Sequence, residues 1–421
     1  MTSDPPGTAA RRAALRLLDA VLRRGLPLES ALDAAARDLE RADDRAFAHA
    51  IAAETLRRLP DLDELIDHAT RRRLPDDAKA RFALRIALVQ ALAMKTPHHA
   101  AISTVLPLVD GGPRKLVHGV FSAVMRQKWA LPEVPHLPIP VAERWRKAWG
   151  PEAVAAAERL IAVPPPIDLI GEPPADANGV SLMPGHLRLA RGTDIAGLTG
   201  YAEGSAGGRY WVQDISAAIP ARLLGPGDGK NVLDLCAAPG GKTMQLAAAG
   251  WDVIAVDASE SRLARLSENL ARTGLAAAIV AADVMQWAPA EPADAILLDA
   301  PCSATGIYRR HPDVLHRARP RAIAELAAAQ KAMLARAADW LKPGGSLVYS
   351  VCSLEPEEGE KVVAHFLAAR PDYALDPIGI DELPEGLRPN DGILRILPGA
   401  FEDQGGADGF FVARFRRNNG G

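Results

Sequence analysis

From about residue 209 onward the sequence alternates strand-like and helix-like stretches, and that rhythm limits the possible folds more than any other feature. Strand candidates are Asn231–Leu235, Trp251–Asp257, Ala277–Ala282, Ala293–Asp299 and Ser346–Val351. Helical stretches fall between them at Thr243–Ala249, Ser259–Thr273, Arg321–Leu341 and Glu355–Ala369, and Phe410–Phe415 reads as a final strand. Such alternation predicts a mostly parallel sheet with helices on both faces.

The segment Val232–Thr243 runs from the first strand through Cys236-Ala237-Ala238-Pro239-Gly240-Gly241-Lys242 into a helix. Small residues let a ligand approach the backbone, and the helix start offers free N–H groups. A P-loop would need glycine five residues before Gly241, where Cys236 stands, and the G-x-G-x-x-G dinucleotide pattern is absent. The expectation is a nucleoside-like ligand outside the carboxyl ends of the strands. Asp257 closes the second strand, where a carboxylate can accept two ribose hydroxyls. Asp283 follows the third, within reach of an adenine amino group. Aspartate at a strand end is also common in turns. The ordered set suits S-adenosylmethionine better than NAD or ATP.

Ahead of this region, residues 1–130 read as helical, with apolar stripes at Arg11–Arg24, Ala46–Leu59 and Ala78–Met94 broken by Pro27, Pro60, Pro75, Pro97 and Gly111-Gly112-Pro113. The plain reading is a docking or dimerisation bundle. Residues 131–208 begin with scattered prolines, then offer helical Glu143–Val163 and short strands at Ile167–Ile170 and His186–Leu189, a small α+β segment. Residues 209–421 form the α/β part.

The 421 residues suffice for two or three domains, and 48% hydrophobic with 24% charged residues suits a globular protein. No run is long enough for a membrane span and no signal-peptide pattern is read, so a cytoplasmic location is expected. Three cysteines, Cys236, Cys302 and Cys352, make no disulfide scaffold and lack zinc spacing; no metal is expected. The net charge of −3 gives no global basic signature. Residues 1–130 nevertheless hold 21 Lys+Arg against 16 Asp+Glu, which permits a nucleic-acid-facing front end.

Cys302 follows the fourth strand in Asp299-Ala300-Pro301-Cys302-Ser303-Ala304-Thr305-Gly306. Cys352 follows the fifth in Tyr349-Ser350-Val351-Cys352-Ser353. A single cysteine is commonly core filler; two at the cofactor edge of neighbouring strands point to chemistry. Carbon 5 of cytosine is a poor nucleophile toward a sulfonium methyl group. A thiolate added at C6 activates it, a second group removes the C5 proton, and an acid near N3 assists. Glu355-Pro356-Glu357-Glu358 reads as the first turn of a helix, whose N-terminus would favour a Cys352 thiolate while its glutamates oppose it.

These segments, with Val212–Ala217 and Asp408-Gly409-Phe410-Phe411, resemble the signatures of the Sun/Fmu (RsmB-type) RNA cytosine-5 methyltransferases. Thr96–Ala101 and Leu116–Arg126 are similar to the NusB-like helical domain of the bacterial 16S rRNA member. The resemblance implies a multidomain protein. An all-α NusB-like RNA- or protein-binding bundle would be followed by the small α+β segment and a C-terminal α/β Rossmann-like class I methyltransferase with a mostly parallel seven-stranded sheet. It implies Cys352 as nucleophile, Cys302 supporting C5 deprotonation and release, and Asp299 near the base and cofactor. Cys236, Ala237, Ala238, Pro239, Gly240, Gly241, Lys242, Asp257, Asp283 and Asp299 would hold S-adenosylmethionine. Lys242 is alternatively an organiser of the active site. His98 and His99 read as helix-start or packing residues.

One stretch departs from the family pattern, since Ile167-Asp168-Leu169-Ile170-Gly171-Glu172 stands where a basic RNA-contact segment is expected. RNA contact would then fall to Arg309-Arg310-His311, Arg317, Arg319, Arg321 and Arg71–Arg73, through phosphate. The implied partner is RNA, 16S rRNA before the particle closes, with no membrane and the protein as a monomer. Competing readings are a tRNA cytosine-5 methyltransferase and a non-catalytic RNA-binding assembly factor.

Overall fold

The computed structural model describes residues 4–190, 192–201 and 208–419. The chain divides into two compact units, one of Met1–Val163 with Tyr308–Arg319 and one of Pro164–Ile307 with Pro320–Gly421.

The first unit is helical: α1 (Thr8–Leu22), α2 (Leu28–Ala35), α3 (Ala42–Arg57), α4 (Leu59–Ala69), α5 (Lys79–Leu92), α6 (His98–Val105), α7 (Gly111–Gln127), α8 (Ile139–Trp149) and α9 (Pro151–Ile161). In α5 every residue from Ala80 to Gln90 is buried, so this helix forms the centre of the bundle. Its two buried arginines are neutralised from α4: Arg81 reaches Asp67 at 2.5 Å and Arg85 reaches Asp63 at 2.7 Å. His98 and His99 open α6 on the surface, and the His98 ring meets Phe121 edge-on at 6.5 Å.

The segment Tyr308–Arg319 completes this unit although it is encoded far downstream. It carries the short helix α13 (Val314–Arg317). Asp313 accepts the Leu28 N–H at 3.3 Å, the His316 ring meets Leu56 O at 2.8 Å, and Trp145 packs on Tyr308 at 5.5 Å. Arg309 is 1% exposed and Arg317 is held by Asp313 at 3.1 Å, so neither offers the free phosphate contact expected of it.

The second unit holds two sheets. Strands β1 (Ile167–Gly171), β2 (Gly179–Val180), β3 (His186–Leu189) and β4 (Tyr210–Val212) form an antiparallel sheet in the order β2-β3-β1-β4. Asp168, in the acidic stretch that departs from the family pattern, is buried there. It takes both arms of Arg188 at 2.7 and 2.8 Å and the Ile215 N–H at 3.0 Å. Burial opposes its ionisation, yet Arg188 and His186 hold the carboxyl well below the usual range.

The larger sheet contains β5 (Asn231–Leu235), β6 (Asp252–Asp257), β7 (Ala278–Ala281), β8 (Ala293–Asp299), β9 (Leu341–Val351), β10 (Tyr373–Leu375), β11 (Ile393–Ile396) and β12 (Phe410–Arg417). Seven strands lie in the order β10-β12-β9-β8-β5-β6-β7, with β11 as an eighth on β12. The run β7-β6-β5-β8-β9 is parallel, whereas β12 pairs antiparallel with β9, β10 and β11. The sheet is therefore mixed at one edge.

Alternation along β5 explains the layering. Val232 points into one core with Leu263 and Leu266, while Leu233 and Leu235 point into another with Leu334 and Phe366. The helices supplying those cores are α10 (Ile215–Arg222), α11 (Gly241–Ala248), α12 (Glu260–Thr273), α14 (Pro320–Ala338) and α15 (Glu360–Ala369). Among the described residues no helix is long and apolar enough to cross a membrane.

Candidate active site

The loop leaving β5 is built for close approach. Cys236 turns into the left-handed region at φ 61° and Gly240 follows at φ 104°. A Cβ on Gly240 would sit 2.8 Å from Leu266 Cγ, so only glycine fits against α12 there. Two backbone amides of the loop fix it to β6: Ala237 N donates to Val256 O at 3.1 Å and Ala238 N to the Asp257 side-chain Oδ2 at 3.1 Å. Asp257 is buried, its other oxygen takes the Ser259 N–H at 2.9 Å, and Arg262 stands 3.5 Å away while also donating to Ala238 O.

Beside the loop lies a cleft of about 360 Å³ lined by Trp211, Gln213, Asp234, Cys236 to Pro239, Gly241, Lys242 and Asp299, among others. Asp234 is fully buried. Thr243 donates to its Oδ2 at 2.6 Å, whereas Oδ1 has no partner among the described residues. Burial pushes this carboxyl up to about 7. Burial, then Asp299 and Asp257, pushes the Cys236 thiol up to about 12, which makes it a neutral wall. Asp283 is exposed and outside the lining; its carboxylate closes the next turn by accepting the Met285 N–H at 2.9 Å. The open acceptor on Asp234 and the small-residue floor fit a cofactor with a cationic donor group.

Asp299 joins the 236–242 loop to the sheet. Lys242 Nζ lies 2.8 Å from its Oδ2, and Ser350 on β9 donates to its Oδ1 at 2.8 Å. Strands β8 and β9 are parallel neighbours with Asp299 opposite Ser350. Their carboxyl ends therefore deliver Cys302 and Cys352 together, with Sγ atoms 3.5 Å apart. The adjacent Cys352 sulfur, burial and Glu358 push the Cys302 thiol well above its ordinary value. The expected helix start beside Cys352 is not there: α15 begins at Glu360, and Glu355 and Glu358 turn inward at 1% and 0% exposure.

A second loop braces the Cys352 segment. Gly306 N donates to Cys352 O at 3.0 Å, and Gly409 N donates to Gly306 O at 2.9 Å. A Cβ on Gly306 would fall 1.9 Å from Gly409 O and one on Gly409 would fall 2.6 Å from Leu354 Cδ2, which accounts for glycine in both signatures. Sequence reasoning missed Asp234, Ser303, Ser350, Ser353 and Glu358. The repeated Cys-Ser pair, at 302–303 and 352–353, was the available signal.

Residues 221–416 match the family described as 16S rRNA methyltransferase RsmB/F, and residues 8–126 match the NusB family. A ribosomal RNA small subunit methyltransferase B from Klebsiella pneumoniae is 34% identical over 445 residues, spanning 97% of this chain and 98% of that protein. The chain belongs to the RsmB/F family. A Salmonella arizonae protein of the same name is 44% identical over 238 residues, 55% of this chain and 51% of its own length. Among solved structures, PH0851 shares the fold at TM-score 0.74 and 23% identity, over 99% of this chain and 100% of its own. A methyltransferase homolog protein from Pyrococcus horikoshii aligns at TM-score 0.52 and 24% identity, over 70% of this chain and 98% of its own. As an RsmB/F member the protein is an rRNA methyltransferase with S-adenosylmethionine as cofactor, and the Asp234-to-Asp299 cleft has the acceptors to hold it.

Proposed function

We propose that this enzyme forms 5-methylcytosine in 16S rRNA through a transient bond between Cys352 and cytosine C6. The observation that carries the reading is the pair of thiols 3.5 Å apart, beside the Lys242–Asp299 pair at the rim of the cofactor cleft. Cys352 adds to C6 and makes C5 nucleophilic. Bound S-adenosylmethionine supplies the electrophilic methyl group. Cys302 takes the C5 proton, and Cys352 leaves as C5=C6 reforms. Asp299 faces the target base and assists the addition, with Lys242 fixing its carboxylate. The 236–242 loop, Asp257, Asp283 and Asp299 hold the cofactor.

The target base must meet both thiols at once, so it enters unpaired or flipped from its stack. That requirement favours free 16S rRNA or an early assembly intermediate. The helical unit serves as the RNA- or protein-docking domain. The reading takes the protein to act as a monomer.

The test is methyl transfer from labelled S-adenosylmethionine to unmodified 16S rRNA, 23S rRNA and tRNA. The expected result is 5-methylcytosine in 16S rRNA alone, no product with Cys352→Ala, and a trapped RNA adduct with Cys302→Ala. Labelling of tRNA would overturn the substrate. Cofactor binding with no labelled RNA would favour the assembly-factor reading.

A further inference from the structure

Glu358 lies outside the cofactor cleft, yet its side chain is where the two cysteine loops are tied together. It is fully buried. Oε1 accepts the Ser303 N–H at 2.8 Å and the Gln330 Nε2–H at 3.0 Å. Oε2 accepts the Ser353 hydroxyl at 2.5 Å and the Ser303 hydroxyl as well. Ser303 follows Cys302 and Ser353 follows Cys352, so one carboxylate grips the residue after each thiol. Gln330 extends the grip, because it also donates to Pro301 O at 2.8 Å, on the other side of Cys302. The Tyr349 hydroxyl holds the Glu358 carbonyl at 2.5 Å.

A buried carboxylate is costly unless its oxygens are filled, and here four donors fill them. All of the donors come from the loops and helix around the thiols, none from a distant surface. We propose that Glu358 is a positioning residue that sets the separation of Cys302 from Cys352. It thereby governs the release step, which begins once Cys352 is bonded to C6 and its sulfur no longer opposes ionisation of Cys302. Cys302 gives its proton to solvent, its thiolate takes the C5 proton, the C5–H electrons form the C5=C6 bond, and the C6–S bond breaks to return the Cys352 thiolate. Addition at C6 needs Cys352 alone and is less sensitive to that distance. The inference rests on the cysteine mechanism proposed above.

Substitution separates geometry from charge. In Glu358→Gln the amide oxygen still accepts from Ser303 N and Gln330. Its NH₂ donates to the two serine hydroxyls, which reverse their own bonds. Glu358→Ala removes every link. With full-length enzyme and 16S rRNA, Glu358→Ala is expected to lower kcat about 100-fold, a size typical of lost catalytic alignment. KM for RNA and affinity for S-adenosylmethionine should stay within about twofold, and a covalent RNA–protein adduct should accumulate on a denaturing gel. Glu358→Gln should keep at least roughly a third of wild-type kcat and show no adduct.

Wild-type turnover in Glu358→Ala, a slow variant without adduct, or equal loss in Glu358→Gln would each overturn the inference. If Glu358→Ala does not fold, Ser353→Ala carries the test, with adduct accumulation expected and its absence counting against the proposal. Cys302→Ala and Cys352→Ala are the controls. An adduct with the first and no product with the second show that the cysteine mechanism stands, and the Glu358 arms then judge this inference separately.

Discussion

Lys242 Nζ sits 2.8 Å from Asp299 Oδ2, joining the loop after β5 to the end of β8. Lys242 is 9% exposed and its ammonium also lies 5.4 Å from the Phe410 ring. Asp299 spends its other oxygen on Ser350, two residues before Cys352. The 236–242 loop, Asp299 and the strand leading to Cys352 thus share one short chain of contacts.

Replacing Lys242 with Met keeps the length of the side chain and removes the cation. Asp299 then loses the partner that fixes its rotamer. The expected outcome is a fall in single-turnover methylation of about 10²–10³-fold. Rapid quench with labelled cofactor reads the rate, and a change below threefold would remove Lys242 from the site.

Gly306→Ala places a methyl group 1.9 Å from Gly409 O and 3.0 Å from Cys352 O. Backbone must move on both sides. Overpacking of this kind costs about 1–3 kcal/mol. Because the displaced carbonyl belongs to Cys352, methylation should fall further than stability does. Urea midpoints and initial rates measured on the same samples test this, and a variant that loses stability but keeps its rate would contradict it.

Asp234 gives stability a pH dependence of defined sign. Its folded carboxyl titrates near 7, while an unfolded aspartate titrates near 4. Between those values the folded state holds the extra proton, so stability falls as pH rises. Asp234→Asn removes the penalty and keeps an acceptor for Thr243. Relative to wild type, the variant should gain on the order of 1–3 kcal/mol between pH 5 and pH 7.5. Urea unfolding at both pH values checks the difference, and a gap that is constant or narrows with pH would refute it.

Asp168→Asn should cost stability and leave chemistry alone. The substitution strips the counter-charge from Arg188, which is 5% exposed. Breaking a buried pair from one side costs about 3–5 kcal/mol. Thermal unfolding reads that loss, and the methylation rate at a temperature where the variant is folded should stay near wild type. A drop in RNA affinity at that temperature would return this segment to RNA contact.

Much of the α/β unit was legible because parallel strands buried on both faces read as unbroken apolar runs. Asn231–Leu235 and Ala293–Asp299 match β5 and β8 to the residue. The loop signature and both cysteines sit at strand ends, where local pattern and sheet geometry coincide. Glu358 was not legible. Three glutamates within four residues, Glu355, Glu357 and Glu358, look like a solvated helix start, and only the Ser303 and Ser353 donors from the two cysteine loops hold Glu358 inward. Arg309 misled for the converse reason: charge type suggests a surface, whereas tertiary packing buries it. The β11 strand on β12 was missed because β12 uses one edge twice, for β10 near its end and β11 near its start.

The segment Tyr308–Arg319 has a consequence for how the protein is made. Residues up to Val163 emerge from the ribosome first, but the unit they belong to also includes Tyr308–Arg319. At roughly 5–20 residues per second, that piece follows about 7–30 s later. Until then the Leu28 N–H, the Leu56 carbonyl and the Trp145 ring wait for partners that the nascent chain does not yet contain. A fragment ending at Val163 would be left permanently in that waiting state.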